Sequence, residues 1–209
     1  MPKKKTIRQP SEKTLKLLLK HEVGGGKNYY EKYLSGFTWP GGSSGPTIAI
    51  GIDCAYYSKE ELYDIFNFLT EEQIELICGS INKTGLSGKE YTLSLKKHNI
   101  KVSWDQALEI FNNITWYKFS KLAESVFPGL NELCDDAYGA IVSLVFNRGA
   151  NLSGHKRTEM RKIKELIPKK NYKEIANQIR SMKRLWVGKN LDGLLARRED
   201  EAELVESCV

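Results

Sequence analysis

The residues from 136 to 147 constrain the fold more than any other segment of the sequence. Built as a helix, the run DAYGAIVSLVFN is apolar on nearly every face. Such a helix must be enclosed on all sides by other parts of the protein. The segment therefore predicts a buried central helix, and Gly149 lies where a glycine commonly ends a helix.

Capping boxes predict where three other helices begin. A Ser or Thr N-cap followed three residues later by Glu or Gln satisfies two backbone N–H groups reciprocally. The pattern occurs at Ser58-x-x-Glu61, Thr70-x-x-Gln73 and Ser103-x-x-Gln106. The helix after Ser103 is expected to reach Val126, because Pro128 and Gly129 follow it.

Four further helices complete the helical part of the prediction. Ser11 is the expected N-cap of the first helix, which the glycines at 24–26 should end. The other three are expected near 156–167, 172–186 and 193–207, with Asn171 and Asp192 as N-caps of the last two.

One segment carries a clear strand pattern. From Thr47 to Asp53, three isoleucines alternate with small or polar residues, which is the period of a β-strand. Residues 24–46 are rich in glycine and aromatic residues and predict a loop or hairpin. The expected fold class is α+β: mostly helical, with a small antiparallel β-sheet in the N-terminal part.

Composition excludes several classes of protein. A chain of 209 residues, 41% hydrophobic and 28% charged, can bury a core and is neither disordered nor a coiled coil as a whole. Its apolar runs are shorter than the roughly 18 residues of a membrane span, so no transmembrane segment is expected. The N-terminus shows no secretory signal pattern, which predicts synthesis in the cytoplasm.

The charge is concentrated in one stretch. The net charge is +6, and Lys156–Lys189 holds 12 basic and 3 acidic residues. Such a stretch suits contact with a polyanion, such as an anionic cell wall, and equally a solvated helical surface. No recognisable nucleic-acid motif accompanies it, so no nucleic-acid partner is expected.

Cysteine and histidine spacing argues against a metal site or a cofactor. The four cysteines include no CxxC pair, and the three histidines lie far apart in the sequence. We therefore expect no metal and no cofactor. Free cysteines packed in a core are expected rather than disulfides.

Glu22 is the first candidate catalytic residue. It follows Leu15, Leu18 and Leu19 on one face of the first helix, where another leucine would be expected. A carboxyl group among apolar neighbours keeps its proton more readily and can protonate a leaving oxygen. A glutamate at a helix end that reaches solvent or pairs with a lysine explains the same pattern.

Thr47 and Asp53 form a second candidate constellation. They lie on one face of the expected strand with only Ala49 and Gly51 between them, so a water molecule could approach. A straight strand would separate them by roughly 20 Å, and the chain must bend, we expect at Gly51, for both to hold one water. A half-exposed sheet edge with no catalytic role is the alternative.

Aromatic residues at 29–39 and 56–57 could line a sugar-binding site or pack a small lobe. Two carboxylates, aromatic walls and a basic surface together favour glycoside hydrolysis.

Three sequence blocks in order resemble the phage-type lysozymes. After Glu22, the run SGPTIAIGID (residues 44–53) resembles Ser-Gly-x-Thr-Ile-Gly-x-Gly-Tyr-Asp of the branch that includes the bacteriocin pesticin, with Ala49 for the first Gly and Ile52 for Tyr. Residues 140–149 are similar to the central helix of the family, and residues 193–204 to its C-terminal Gly-Leu-x-x-Arg-Arg-x-x-Glu helix.

The resemblance implies a two-lobed lysozyme fold and cleavage of peptidoglycan between N-acetylmuramic acid and N-acetylglucosamine. It implies that Glu22 is the general acid, that Asp53 is the base or orients water, and that Thr47 helps to position that water. The loop between Glu31 and Asp53 contains no other acidic residue, which favours Asp53. Arg148, Arg197 and Arg198 are expected to anchor helix packing and form ion pairs rather than to touch sugar.

The resemblance also sets the expected organisation and role. Residues 1–10 would be a basic tail and 11–209 one catalytic domain, with a small lobe at about 23–100 and a helical lobe at about 101–209 plus the first helix. A monomer is expected, acting on the cell wall as an endolysin, bacteriocin or antibacterial effector after release from the cytoplasm. Residues 76–100 have no placed counterpart.

Two other functions stay open at this point. A lytic transglycosylase uses one acid/base glutamate and needs no water-activating carboxylate. A non-catalytic module that binds glycan or nucleic acid through its basic stretch needs no carboxylate at Glu22. For hydrolysis, we expect inversion of the anomeric centre, with the two carboxylates roughly 6.5–9.5 Å apart.

Overall fold

A computed structural model describes residues 8–24 and 26–209. Residues 1–7 of the expected basic tail, and Gly25, lie outside the described residues. The contacts between Cα atoms divide the chain into two compact units. Among the described residues, one unit holds residues 8–21 together with Trp116–Val209, and the other holds residues from Glu22 to Thr115. The expected division into a tail and one catalytic domain stays a prediction.

The described residues form eleven α-helices and a two-stranded antiparallel sheet, which confirms the mostly helical α+β class. In chain order the elements are α1 (Glu12–Val23), α2 (Gly26–Tyr33), β1 (Thr47–Ile48), β2 (Ile52–Asp53), α3 (Lys59–Ile65), α4 (Glu71–Cys78), α5 (Gly85–Lys96), α6 (Trp104–Ile110), α7 (Tyr117–Val126), α8 (Asp135–Arg148), α9 (Thr158–Leu166), α10 (Tyr172–Ser181) and α11 (Asp192–Glu206).

The predicted central helix is α8. Nine consecutive residues, from Ala137 to Val145, are buried, because α8 packs against α7 and α11 in the same unit. Gly149 follows its last residue with a φ of +74°, a conformation that glycine adopts without steric cost. The prediction of a buried central helix is confirmed.

Side-chain caps place most helix starts as predicted. All three capping boxes are formed, with both reciprocal hydrogen bonds present in each. Ser11 accepts the backbone N–H of Thr14 at 3.0 Å, and Asn171 accepts that of Glu174 at 3.2 Å. The prediction for Asp192 is wrong: it is the first residue of α11, and Leu191 occupies the cap position without a side-chain bond.

Two helical predictions need correction. Residues 24–46, expected as loop or hairpin, include α2, whose residue Tyr30 is fully buried. The helix expected after Ser103 does reach Val126, but a π-helix at Phe111–Trp116 interrupts it between α6 and α7. Neither tight turns nor glycines mark that interruption in the sequence.

The cysteine prediction is wrong for one pair. Cys134 and Cys208 form a disulfide across 74 residues, linking the N-cap of α8 to the end of α11 within one unit. Cys54 and Cys78 are free. The long, irregular spacing in sequence gave no sign of this pair, since only the packing of α11 beside α8 brings the two thiols together.

No described helix combines the length and apolarity that crossing a bilayer requires.

Candidate active site

A tight hairpin brings Thr47 and Asp53 face to face. The segment predicted as one strand is instead two short strands, β1 and β2, in which Thr47 pairs with Asp53 and Ile48 with Ile52. The N–H of Cys54 donates to the carbonyl of Pro46 at 2.9 Å, next to the Thr47–Asp53 pair. This bond makes Thr47 and Asp53 a closely spaced pair without mutual backbone bonds, with Cα atoms about 4.5 Å apart.

The turn of this hairpin uses two left-handed residues. Ala49 has a φ of +55° and Gly51 a φ of +79°. The expected bend at Gly51 is therefore present, and it is sharper than a bent strand, since the chain reverses direction. A straight strand would separate Thr47 and Asp53 by roughly 20 Å, whereas the hairpin places them directly opposite each other on neighbouring strands.

The carboxylate of Asp53 is held by backbone N–H groups. The N–H of Gly45 donates to both of its oxygens, at 3.2 Å to Oδ1 and 3.0 Å to Oδ2, and the N–H of Ala55 donates to Oδ1 at 3.2 Å. A carboxylate offers about four acceptor positions, so these three bonds leave capacity at Oδ2. The half-buried side chain is thus fixed in orientation and still able to bind a water molecule.

The Gly45 position has no room for a side chain. A Cβ there would lie 2.4 Å from the Cβ of Ala55, 2.6 Å from the carbonyl of Lys83 and 2.8 Å from Oδ1 of Asp53. A Cβ on Gly88, in the first turn of α5, would lie 2.7 Å from the same Lys83 carbonyl and 3.0 Å from the Cα of Gly45. The start of α5 therefore supports the loop that binds Asp53.

Because α5 supports this loop, part of residues 76–100 has a structural role that the sequence alone did not assign. The carbonyl of Ser44, in the same loop, also accepts the N–H of Gly85 at 3.1 Å and the indole N–H of Trp39 at 2.9 Å. Gly45 stood in the quoted motif, so the sequence carried a signal for it. Gly88 carried none, because its role depends on a contact 43 residues along the chain.

The hydroxyl of Thr47 has a defined polarity. It donates to the carbonyl of Gly45 at 3.2 Å, and a carbonyl can only accept. The oxygen of Thr47 is therefore left as an acceptor for a water molecule. The side chain is 9% exposed, so this oxygen lies at the edge of the buried interior.

Thr38 is a third polar residue in this row, and the sequence analysis missed it. It pairs with Thr47 through two backbone bonds, of 2.7 and 2.8 Å, on the side of Thr47 opposite Asp53. Directly paired residues on neighbouring strands project to the same face. Thr38, Thr47 and Asp53 therefore share one face of the sheet.

Glu22 lies at the end of α1. It is the penultimate residue of that helix, is half-buried, and begins the unit that also contains Thr47 and Asp53. The preceding residue, His21, belongs to the other unit, where its Nε2 lies 2.6 Å from Oδ2 of Asp200. Adjacent helix residues point in different directions, so His21 and Glu22 do not share one face of α1.

The two arginines of α11, Arg197 and Arg198, form buried hydrogen bonds and ion pairs, as expected. Oε1 of Glu201 accepts hydrogen bonds from Arg197, Arg198 and the hydroxyl of Ser143, and all four residues are buried. Burial lowers the pKa of Arg198, and the neighbouring Glu201 carboxylate opposes that shift. Arg148 lies with its guanidinium 4.8 Å from the centroid of the Trp186 ring.

The aromatic residues divide between packing and surface. Tyr30 is buried, donates to the carbonyl of Val102 at 2.9 Å, and has its pKa raised by burial. Tyr29 and Tyr33 are about half exposed, with ring centroids 4.9 Å apart. The described residues contain no group of three or more His, Cys, Asp or Glu side chains placed to hold a metal ion.

The comparisons with known proteins bear on the second half of the chain. The family model described as phage lysozyme matches residues 84–201, more than half of the sequence. The match includes α5, the central helix α8 and the arginine pair of α11, and it begins after the hairpin. None of the curated proteins compared with the chain matches it. On the strength of the family match, the chain belongs to the phage lysozyme family.

Proposed function

We propose that this protein is a muramidase that cleaves the β-1,4 bond between N-acetylmuramic acid and N-acetylglucosamine. Its family already indicates lysozyme-type hydrolysis of peptidoglycan. In the proposed reaction Glu22 protonates the leaving oxygen, Asp53 accepts a proton from water, and Thr47 positions that water. The roles of Thr47 and Asp53 rest on the motif and on the geometry of the hairpin, and that of Glu22 rests on the motif and on its place at the end of α1.

The observation that carries the proposal is the polarity of the Thr47–Asp53 pair. The hydroxyl of Thr47 donates its hydrogen bond to the carbonyl of Gly45, and Asp53 keeps an open acceptor position at Oδ2. A water between them donates one hydrogen bond to each oxygen, which leaves a lone pair on the water for attack on the anomeric carbon. As the bond between the water oxygen and the anomeric carbon forms, Asp53 takes the proton whose hydrogen bond it already accepts.

This arrangement supports direct displacement. Glu22 passes its proton to the glycosidic oxygen, the C1–O bond breaks, and water attacks from the opposite side, so the configuration at C1 inverts. A separation of the two carboxylates in the range of inverting enzymes stays a prediction. The anomer released first, followed by NMR before mutarotation, tests it: inversion of the β-linked substrate yields the α anomer.

Thr47 and Asp53 also support the pesticin-like branch. That branch places its acidic partner after the threonine, and the structure holds the residue at that position beside Thr47. We extend the proposal to the biological role: an endolysin, bacteriocin or antibacterial effector that acts on the cell wall after release or delivery. Contact of the 156–189 stretch with anionic wall polymers belongs to the same proposal.

A lytic transglycosylase is the second candidate, because it acts on the same bond with one acidic residue. The products formed from purified sacculi separate the two, since hydrolysis leaves reducing ends and transglycosylation leaves 1,6-anhydro ends. Anhydro ends would overturn the proposal, and the absence of any product would favour a binding module.

A matched pair of variants tests the water site in the same assay. Thr47→Ser keeps the hydroxyl, whereas Thr47→Val keeps the shape and removes the acceptor. Because misplacing a reacting group by about 1 Å can reduce a rate by roughly 10²-fold, we expect Thr47→Val to lose far more activity than Thr47→Ser. Equal loss in both variants would remove Thr47 from water positioning.

A further inference from the structure

The aromatic ring of Tyr56 lies in solvent close to Asp53. Tyr56 ends the short 3₁₀-helix Cys54–Tyr56, which directly follows β2. Its side chain is 62% exposed, more than that of any other aromatic residue that the structure describes. Asp53 is the N-cap of the same turn, because its carboxylate accepts the N–H of Ala55. The exposed ring and the candidate base therefore belong to one short turn of helix.

The hydroxyl group of Tyr56 fixes the ring in place. It donates to the carbonyl of Ser43 at 2.9 Å, in the loop whose Gly45 N–H holds the carboxylate of Asp53. Two residues of chain span at most about 7 Å, so Tyr56 and Asp53 contact this loop at neighbouring points. Because the hydroxyl is held, the ring keeps one orientation and loses little conformational freedom when a ligand binds.

The free faces of its ring distinguish Tyr56 from the other exposed aromatic residues. Tyr29 and Tyr33 contact each other, with ring centroids 4.9 Å apart. Phe68 lies edge-on to Phe66, at 6.3 Å between centroids. Within the part of the chain that the structure describes, no second ring and no charged group lies over the ring of Tyr56. The ring therefore offers an apolar surface that no aromatic or charged group of the fold occupies.

An oriented and exposed aromatic ring suits a sugar as its ligand. The C–H groups on one side of a sugar ring form a flat apolar face, which packs on an aromatic ring while the hydroxyl groups stay in water. Resting on the proposed function, we infer that Tyr56 stacks against the N-acetylhexosamine next to the bond that would be cleaved. This contact would determine how tightly the glycan binds and would leave bond cleavage to the other residues of the site.

The hydroxyl contact gives Tyr56 a second role that the test must separate from stacking. By bonding to Ser43, the residue also fastens the loop that orients Asp53. Tyr56→Phe removes this bond and keeps the ring, whereas Tyr56→Leu removes both. Phe68→Leu is the matched control, because Phe68 is another exposed ring of the same unit and belongs to the turn after α3.

The first test measures binding without hydrolysis. The probe is a soluble oligomer of N-acetylglucosamine, titrated by calorimetry into the Glu22→Gln protein with and without each further change. Because one aromatic contact contributes roughly two- to tenfold to affinity, we expect Tyr56→Leu to raise Kd about fivefold, and Tyr56→Phe and Phe68→Leu to leave it nearly unchanged. Equal weakening by Tyr56→Phe and Tyr56→Leu would overturn the inference. So would weakening by neither, or no measurable binding before either change.

Direct contact has its own signature in the same complex. We expect NOE cross-peaks between the ring protons of Tyr56 and the axial C–H protons of one sugar. Binding without these cross-peaks would place the sugar elsewhere and overturn the inference.

The second test follows hydrolysis of soluble peptidoglycan fragments. Losing a contact that is equally strong in the substrate complex and the transition state raises KM and leaves kcat unchanged. We expect Tyr56→Leu to raise KM about fivefold with kcat nearly unchanged, and Tyr56→Phe to keep both values. A fall of kcat in Tyr56→Phe would assign the residue to fastening the loop and overturn the stacking role.

The two tests separate the inference from the proposed function. If the oligomer binds through the Tyr56 ring but the unchanged protein releases no product from peptidoglycan, the stacking contact stands and the proposed function fails. Hydrolysis with a KM that does not depend on the ring would keep the proposed function and overturn the role of Tyr56.

Discussion

Ala49 occupies a backbone conformation that its side chain opposes. Its φ of +55° lies in the left-handed region, where a Cβ approaches the neighbouring carbonyl and costs roughly 1–2 kcal/mol. The motif that residues 44–53 resemble has glycine at this position, and the hairpin turn explains why. The alanine is tolerated because the strands on both sides of the turn, with Ile48 and Ile52 buried, hold the conformation in place.

We therefore expect Ala49→Gly to stabilise the protein. The relief of strain exceeds the extra entropy of the unfolded glycine chain, and the net gain should be about 0.5–1 kcal/mol in the free energy of unfolding by urea. Ala107→Gly, in α6 of the same unit, should instead destabilise by about 1 kcal/mol or more, because glycine weakens a helix. Destabilisation by both changes would show that Ala49 carries no strain.

Glu22 gives the most direct test of the chemistry. Glu22→Gln keeps the shape of the side chain and cannot deliver a proton, and general acid catalysis contributes typically 10²–10⁴-fold. We expect cleavage of sacculi to fall by about that factor with an unchanged melting temperature. Glu12→Gln, an exposed change on the same helix, should keep full activity. Near-normal activity of Glu22→Gln would exclude it as the acid.

The sequence identified Thr47 and Asp53 but could not supply their surroundings. The motif names both residues, whereas the bonds from Gly45 and Ala55 to Asp53 exist only once the loop and the hairpin have folded. Thr38 was missed for the same reason. Its place beside Thr47 follows from strand pairing, and neither residue type nor spacing marks that pairing in the sequence.

The β1–β2 hairpin shows why one strand was predicted where two exist. Paired residues 47 and 53, and 48 and 52, differ by even numbers, so a hairpin places on one face the same residues that a straight strand does. Alternation therefore cannot distinguish the two. The available signals were Gly51 and the glycine that the resembled motif has where this chain has Ala49, since two left-handed residues close together favour a turn.

The sequence did not predict helix α2 or the π-helix, for different reasons. The glycines at 24–26 predict the end of a helix, and α1 does end just before them, but a second helix, α2, begins at Gly26. The π-helix at Phe111–Trp116 lies inside an otherwise regular helical pattern, because its wider turn requires no special residue. Capping residues, by contrast, act within four residues, and all the predicted caps except Asp192 are present.

Ion pairs that join α10 and the turn after it to α11 make stability depend on pH. Hydrogen bonds from Lys183 and then Arg180 lower the pKa of Glu199, and Arg180 lowers the pKa of Glu206. Folded-state pKa values below the usual 4.5 mean that this stabilisation is complete above about pH 4.5. This stabilisation is lost as the pH falls through the lowered pKa values of Glu199 and Glu206.

We expect the melting temperature to fall between pH 6 and roughly pH 3, and to fall less in Glu206→Gln, which lacks one of these carboxylates. The matched control is Glu203→Gln, an exposed change on the same helix, which should follow the unchanged protein. An identical fall in all three proteins would place the acid sensitivity elsewhere.

At the scale of the whole molecule, pairing reduces the effective charge of the basic stretch. Arg180, Lys183 and Arg184 form ion pairs with Glu199, Glu206 and Glu159. The surface available to an anionic wall is therefore smaller than the sequence count of Lys156–Lys189 indicates. Several lysines remain exposed there, among them Lys164, Lys169 and Lys173.

Salt provides the test of this surface. If the exposed lysines attract the enzyme to the wall, activity on sacculi should fall steadily as the screening length shortens from about 30 Å at 0.01 M to about 3 Å at 1 M salt. Cleavage of small neutral chito-oligomers, which carry no anionic groups, should change far less. Equal salt dependence on both substrates would locate the effect at the active site instead.

The contact between Gly45 and Gly88 gives the site an order of assembly. Thr47 pairs with Asp53 in a short hairpin, which forms in about 1–10 μs, whereas Gly88 meets Gly45 only after a far longer segment has closed. A partial opening that released the start of α5 would leave the hairpin paired and free the carboxylate of Asp53. Catalytic competence would then be lost before global unfolding, and hydrogen exchange at the Gly45 amide, faster than at the Ile48 amide, would reveal that opening.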